Sequence, residues 1–195
     1  MIKIIGTNHL MKKEEIEKIL EEETPDIICI ELCEARENAI LSQIKYEDNN
    51  KTLLGMITNS IKNKAKKEGL DYGSDMKSAL SYSIRNKVPY LLVDMPIMKT
   101  QELFLKIPKD EQEGFSKELL EFQNESITKK VNENEVIEGM KSRYPIAFEF
   151  LINMRNLYIS NQILMARIKN PNKKIVVILG SSHAVNIKKM IGGIE

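Results

Sequence analysis

The sequence predicts an α/β fold in which a central, largely parallel or mixed sheet is flanked by helices. Four short runs rich in Ile, Val and Leu alternate with longer segments of helical periodicity. These runs are continuously apolar, which is typical of strands buried on both faces of a parallel sheet. The chain has 195 residues, of which 42% are hydrophobic. That is enough for one sizeable core, so we expect a single domain spanning residues 1–195.

The predicted strands and helices follow one another in a regular order. The strands occupy residues 2–5, 27–30, 90–93 and 175–179, and Pro25 and Pro89 stand just before two of them, where proline is tolerated. Met76, Leu80 and Ile84 form a stripe at a spacing of four, which indicates a helix. The predicted helices are 12–23, 34–45, 51–68, 74–86, one starting near Thr100, 109–124, 127–141, 145–168 and 185–191. The region from about 98 to 170 is therefore expected to be a helical insert or cap.

Composition excludes several classes of protein. The chain has 29 basic and 28 acidic residues, so its net charge of +1 gives no general attraction to nucleic acid or to an anionic membrane. No apolar run approaches the length of a membrane-spanning helix, and the first run is too short for a signal peptide. The two cysteines, Cys29 and Cys33, suit a reduced compartment. We therefore expect a cytoplasmic protein without a membrane span or a nucleic-acid partner.

Both histidines of the chain lie in the same motif, G-x-x-H, directly after a predicted strand. The motifs are Gly6-Thr7-Asn8-His9 and Gly180-Ser181-Ser182-His183. Glycine allows the backbone to turn off the strand and to approach a ligand closely. The small polar residues between, Thr7, Asn8, Ser181 and Ser182, could bind a substrate carbonyl or oxyanion.

Carboxylates follow the other two predicted strands, namely Glu31 and Asp94. Ligands of open α/β sheets bind at the carboxyl ends of the strands, so the four groups are expected to converge if the strands are parallel neighbours. Two imidazoles and one carboxylate form a familiar ligand set for a catalytic divalent ion. His9, His183 and Glu31 are the predicted metal ligands. Asp94 could be a fourth ligand, a partner of a ligand, a general base or only a turn residue.

Two of the five arginines lie near the predicted site in sequence. Arg36 comes five residues after Glu31, and Arg155 lies in the helical middle. A guanidinium can orient a carboxylate or bind a substrate, although a surface ion pair is the more common role.

These residues together resemble the TraB/PrgY family, which is related to the Tiki proteins and more distantly to erythromycin-esterase-like and ChaN-like proteins. The opening block carries the most specific part of the resemblance. The segments that are similar are 4–9, 25–36, Gly73-Ser74-Asp75-Met76, 90–100, Arg155-Asn156-Leu157-Tyr158 and 176–183. The sequence departs from the family at Met95 and Met154, where charged residues are usual, and at Ser182, where glycine is usual.

The resemblance implies an active site that contains His9, Glu31 and His183, with contributions from Arg36 and Arg155. The Tiki proteins are regarded as metal-dependent proteases, and pheromone-shutdown members are thought to bind or inactivate a peptide. We therefore expect a hydrolase that uses Mn, Co or Zn and acts on a peptide or a small-molecule amide or ester. One alternative is a non-catalytic protein that sequesters a peptide, and another is an interaction module built on the helical middle. Self-association as a homodimer stays open.

Overall fold

The central feature of the fold is a sheet of four parallel strands. The computed structural model describes residues 1–42, 53–67, 69–128 and 133–192. The strands are β1 (Ile2–Thr7), β2 (Ile27–Ile30), β3 (Tyr90–Leu92) and β4 (Ile175–Gly180). They lie in the order β1-β4-β2-β3, and every pair of neighbours is parallel. The predicted α/β class and the parallel sheet are therefore confirmed.

The last strand of the sequence occupies the interior of the sheet. Val177 of β4 is paired with Ile4 of β1 on one side and with Cys29 of β2 on the other. All six residues of β4 are buried, in agreement with its unbroken apolar sequence. Thr7 is paired with Gly180, so the carboxyl ends of β1 and β4 lie side by side.

Helices cover both faces of this sheet. On one face, Ile28, Ile30 and Ile178 pack against apolar residues of the first and fourth helices. On the other face, Ile4 and Val177 pack against apolar residues of the last two helices of the chain. The helices are α1 (Lys13–Glu23), α2 (Glu34–Leu41), α3 (Leu53–Lys67), α4 (Ser74–Asn86), α5 (Ile97–Phe104), α6 (Lys109–Thr128), α7 (Glu133–Arg143), α8 (Pro145–Phe148), α9 (Met154–Lys169) and α10 (Ser181–Met190).

The predicted stripe of α4 is right for two of its three members. Met76 and Leu80 are buried against the sheet, but Ile84 is half exposed. A spacing of eight residues turns a helix about 80° past its starting direction, whereas seven residues return to within about 20°. Ser83 therefore takes the buried position and donates its hydroxyl to the Ala79 carbonyl at 3.0 Å.

The helical middle lies between β3 and β4, as predicted, and has an apolar core of its own around Phe115 and Phe148. Its predicted bounds need correction. The helix expected over 145–168 is interrupted by a π-helical turn at Glu149–Asn153, and α5 begins after Pro96, three residues before Thr100. Parts of three predicted helices lie outside the described residues. These parts are 43–45 of the second helix, 51–52 and 68 of the third, and 129–132 of the helix predicted over 127–141.

The last helix also begins earlier than predicted. It starts at Ser181, directly after β4, and not near Val185. The second G-x-x-H motif therefore forms the first turn of α10 and is not a loop. Within the described ranges, no helix is both long and apolar enough to cross a bilayer.

Candidate functional site

The carboxyl ends of β1, β4 and β2 meet around the carboxylate of Glu31. Glu31 follows β2 directly, is 3% exposed, and its backbone N–H donates to the Ile178 carbonyl at 3.1 Å. Its Oε2 accepts a hydrogen bond from the backbone N–H of Gly180 at 2.6 Å. The predicted convergence of these strand ends is thus present, and β4 itself holds the Glu31 side chain.

Gly180 also sets the position of His9. A Cβ atom added to Gly180 would lie 2.5 Å from His9 Nε2 and 3.4 Å from Glu31 Oε2. The imidazole and the carboxylate therefore share the space that a side chain at residue 180 would fill. His9 itself adopts a left-handed backbone conformation, with φ of 60°. This conformation is uncommon for a residue other than glycine.

A buried aspartate holds the other side of the His9 ring. Asp75 lies in the first turn of α4, is fully buried, and places Oδ2 at 3.3 Å from His9 Nδ1. The Thr7 hydroxyl makes a short hydrogen bond to the same oxygen, and the Met76 N–H donates to Oδ1 at 2.8 Å. Burial lowers the pKa of His9, but Asp75 and Glu31 outweigh burial and raise that pKa above its ordinary value.

His183 is fixed as one tautomer by its two partners. Arg155 Nη1 lies 3.2 Å from Nε2, and Asn156 Oδ1 lies 2.6 Å from Nδ1. A guanidinium nitrogen can only donate, so Nε2 must be the acceptor and Nδ1 must carry the proton. Burial lowers the pKa of His183 to about 4, so the ring is neutral at pH 7.

Arg155 joins the acidic groups of the site. Its Nη2 donates to Glu31 Oε1 at 2.8 Å and to Asp94 Oδ2 at 2.9 Å, and its Nε donates to Asp94 Oδ1 at 2.7 Å. The residue comes two positions after the π-helical turn, which adds one residue to the helical repeat and so changes the direction of the side chains that follow. Arg155 and Asn156 therefore both reach the strand ends.

Asp94 lies between the two predicted arginines. Its Oδ2 also accepts a hydrogen bond from Arg36 Nη1 at 2.9 Å, and its Oδ1 accepts from the Met95 N–H. Burial would raise the pKa of Asp94, but the two guanidinium groups overcome this effect and lower it to about 2. For Glu31, too, burial would raise the pKa, but nearby positive charge, including that of Arg155, outweighs burial and lowers the pKa. Asp94 is therefore an anchor for the arginines, and its low pKa does not suit a general base.

The small polar residues of the two motifs differ in what they contact. Thr7 is buried, and its hydroxyl contacts Asp75 and the Leu179 carbonyl. Asn8 is exposed and accepts a hydrogen bond from the Leu10 N–H at 3.1 Å. Ser181 and Ser182 are half-buried, and no described residue hydrogen-bonds their hydroxyls. No side chain caps the N-terminus of α10, so these two residues stand at a helix end with available donors.

Two residues of the site were not predicted as such. Asp75 appears in the sequence as an acidic residue in the first turn of a helix, where carboxylates are common because they favour the helix dipole. Asn156 follows Arg155 in the middle of a helix, and its burial could not be seen from the sequence. Its Nδ2 is buried and has no hydrogen-bond partner among the described residues. Cys29 and Cys33 are both buried and free.

Two of the three donors expected for a metal ion, Glu31 and His183, contact the guanidinium of Arg155. Among the described residues, no three His, Cys, Asp or Glu side chains form a group that would hold an ion as they stand. His183 Nε2 is 3.8 Å from Glu31 Oε1, and Arg155 donates to both atoms. The site thus brings together His9, Glu31, Asp94, Arg36, Arg155 and His183, all of which were predicted from the sequence.

Comparison with known proteins shows a distant relative but no family. No family model matches the chain. An uncharacterized protein of Methanocaldococcus jannaschii is 24% identical over the full length of this chain. The chain spans 54% of that protein's length, which is about half of it.

Proposed function

We propose that the chain is a metal-dependent hydrolase acting on a peptide or a similar amide or ester. The observation that carries this proposal is the way in which both imidazoles are held beside Glu31. Each has an oxygen acceptor at Nδ1, Asp75 for His9 and Asn156 for His183, and the Nε2 atoms lie towards the glutamate. Metal-binding histidines are typically oriented in this way by a partner at the second nitrogen.

The donor chemistry fits a divalent ion. His9, His183 and Glu31 would hold it, provided that Glu31 Oε1 and His183 Nε2 release Arg155, which keeps two further hydrogen bonds to Asp94. A bound Mn, Co or Zn ion would supply Lewis acidity and a lowered pKa for water.

The residues of the chain would supply orientation and charge. Asp75 fixes the His9 ring, and Asn156 fixes the tautomer of His183. Hydroxyl groups of Ser181 and Ser182, together with the uncapped N-terminus of α10, would donate hydrogen bonds to negative charge that develops on a substrate carbonyl. Asp94 keeps Arg155 beside Glu31.

Calorimetry with Mn²⁺, Co²⁺ and Zn²⁺ followed by a peptide-library digest tests this function. Wild type should bind an ion and cleave peptides with multiple turnover, and His9→Ala and His183→Ala should lose both properties. Asp71→Ala is a suitable control, because Asp71 is an exposed ionisable residue that pairs with Lys77 and is not one of the expected ligands. Ion-dependent hydrolysis that survives both histidine substitutions would contradict the assignment of the residues.

A non-catalytic peptide-binding protein is the second candidate. The observation that favours it is the present balance of charge, because Arg155 and Arg36 together balance the charges of Glu31 and Asp94, and Arg155 also occupies His183 Nε2. For this function, peptide binding without cleavage is expected in the presence of each of the three ions. Multiple turnover on any peptide would exclude it.

A further inference from the structure

The two arginines of the site differ in how many hydrogen-bond donors they have available for a ligand. Arg155 uses Nε, Nη1 and Nη2 in contacts with Asp94, His183 and Glu31, and its side chain is only 18% exposed. Arg36 makes one hydrogen bond, from Nη1 to Asp94, and its side chain is 44% exposed. Among the described residues, its Nε and Nη2 have no hydrogen-bond partner.

The side chain of Arg36 is also held in place by its hydrogen bond to Asp94. The carboxylate that anchors it is 2% exposed and is itself held by both Arg155 and the Met95 N–H. An anchored guanidinium with unused donors on its exposed side is suited to a carboxylate, because the planar fork matches that group and little freedom is lost on binding.

Three consecutive contacts join Arg36 to the centre of the site. They run from Arg36 Nη1 to Asp94 Oδ2 at 2.9 Å, on to Arg155 Nη2 at 2.9 Å, and then to Glu31 Oε1 at 2.8 Å. An extended peptide advances roughly 3.3–3.6 Å per residue. Arg36 therefore lies within the length of two or three residues of Glu31.

An aromatic side chain lies beside the imidazole of His9. The ring of Tyr72 lies 5.5 Å from the ring of His9, and the residue is half-buried. Burial raises the pKa of Tyr72 to about 12, with Glu31 adding to the increase and Arg36 opposing it. Its hydroxyl therefore stays protonated, and its ring offers an apolar surface beside the imidazole of His9.

We propose that Arg36 binds a carboxylate of the substrate, so that the site takes peptides or related amides with a carboxylate within two or three residues of the bond that reacts. This inference rests on the proposed function for the position of that bond, but carboxylate binding can be measured without any reaction. The carboxylate could be the C-terminus of a peptide or the side chain of an acidic residue, and both offer the same two oxygens.

Equilibrium binding of three matched probes tests the inference. The probes are N-acetyl-trialanine, its C-terminal amide, and N-acetyl-Ala-Ala-Asp-amide, titrated at millimolar concentration while the Nε–H signals of the five arginines are followed by NMR. The free acid should bind wild type about tenfold more tightly than the amide, since the carboxylate gains charge-assisted hydrogen bonds. It should also shift the signal of Arg36. The aspartyl probe decides the source of the carboxylate, since it binds like the acid only if a side chain suffices.

Substitution of Arg36 gives the second arm of the test. Arg36→Gln should abolish the preference for acid over amide, and Arg36→Lys should retain part of it. Arg85→Gln is the matched control, because Arg85 is 49% exposed and contacts a single carboxylate, that of Glu17, at 2.9 Å. This control should keep the full preference.

The outcomes separate the inference from the proposed function. Equal binding of acid and amide by wild type, failure of all three probes to bind, or a preference that survives in Arg36→Gln would overturn the role of Arg36. Hydrolysis without any preference for a carboxylate would leave the hydrolase standing and the inference refuted. Preferential binding of the acid without hydrolysis under any ion would support the role of Arg36 and refute the hydrolase.

Discussion

Replacement of Arg155 by methionine should destabilise the fold, because it leaves two buried carboxylates without their shared partner. The side chains of Glu31 and Asp94 are 3% and 2% exposed, and Arg155 donates to them at 2.7–2.9 Å. Removing one member of a buried ion pair typically costs about 3–5 kcal/mol. Since Arg36 still contacts Asp94 and the Gly180 N–H still contacts Glu31, we expect the lower end, about 3 kcal/mol at pH 7.

The loss should depend on pH in a defined direction. In wild type the folded-state pKa of Asp94 is lowered to about 2, and that of Glu31 is lowered too. Their contribution is therefore present above the ordinary carboxyl pKa of about 4 and is lost as the pH falls towards 2. In the variant, burial remains without the guanidinium, so the folded-state pKa values rise and stability is regained as the pH falls. The difference between the two proteins should be largest near pH 7 and should already be smaller at about pH 4, because the carboxyls of the variant are protonated there while those of wild type stay charged.

Urea denaturation at pH 7 and at about pH 4 measures this difference. Arg85→Met is the control and should cause a much smaller loss, because an exposed ion pair contributes little. Adding Glu31→Gln and Asp94→Asn to the Arg155→Met protein should recover part of the stability at pH 7, since it removes the unpaired charges. A loss below about 1 kcal/mol, or an equal loss at both pH values, would refute the account of Arg155 as the partner of buried charge.

Three further predictions concern the two histidines. Asp75→Asn should weaken Mn²⁺ binding about 10–100-fold, because it removes the carboxylate that orients His9, and an unchanged affinity in calorimetry would contradict this role. Gly180→Ala should shift the NMR signals of the His9 ring while the chain stays folded, because the new Cβ would stand 2.5 Å from Nε2; an unaltered ring environment is the contrary result. His183 should stay neutral, with its proton on Nδ1, down to about pH 4 in imidazole ¹⁵N spectra, so that its contribution to stability falls as the pH drops from 6.5 towards 4. Protonation near pH 6.5 would show that burial and Asn156 do not hold the neutral ring.

The strands and the fold class could be predicted because each strand is a local pattern. The unbroken apolar runs around Ile28 and Val177 can be satisfied only by burial on both faces, and the structure buries them there. The start of α10 could not be predicted in the same way. Ser181 and Ser182 are typical of turns, but the chain enters the helix directly from the end of β4. The π-helical turn at Glu149–Asn153 was not predicted either, because its residues continue the helical pattern of the segments on both sides.

Four site residues could be placed because they follow strands. His9, Glu31, Asp94 and His183 meet since parallel strands present their carboxyl ends at one edge, a rule that needs only the strand assignments. The partners that set their chemistry come from helices distant in sequence. Asp75 reaches His9 from α4, which the sequence could not distinguish from an ordinary acidic helix start.

The sequence by itself determined the alternation of strands and helices, the buried character of the strands and the set of groups at their ends, because hydrophobic periodicity and residue type are local properties. The tertiary structure decided the order of the strands, with β4 between β1 and β2, and therefore which groups touch. It also decided that Arg155 uses all three of its nitrogens while Arg36 keeps unused donors, that His183 is neutral, and that His9 is paired with Asp75. Hydrogen bonding, burial and charge compensation depend on distances between atoms that are far apart in the chain, and only packing sets those distances.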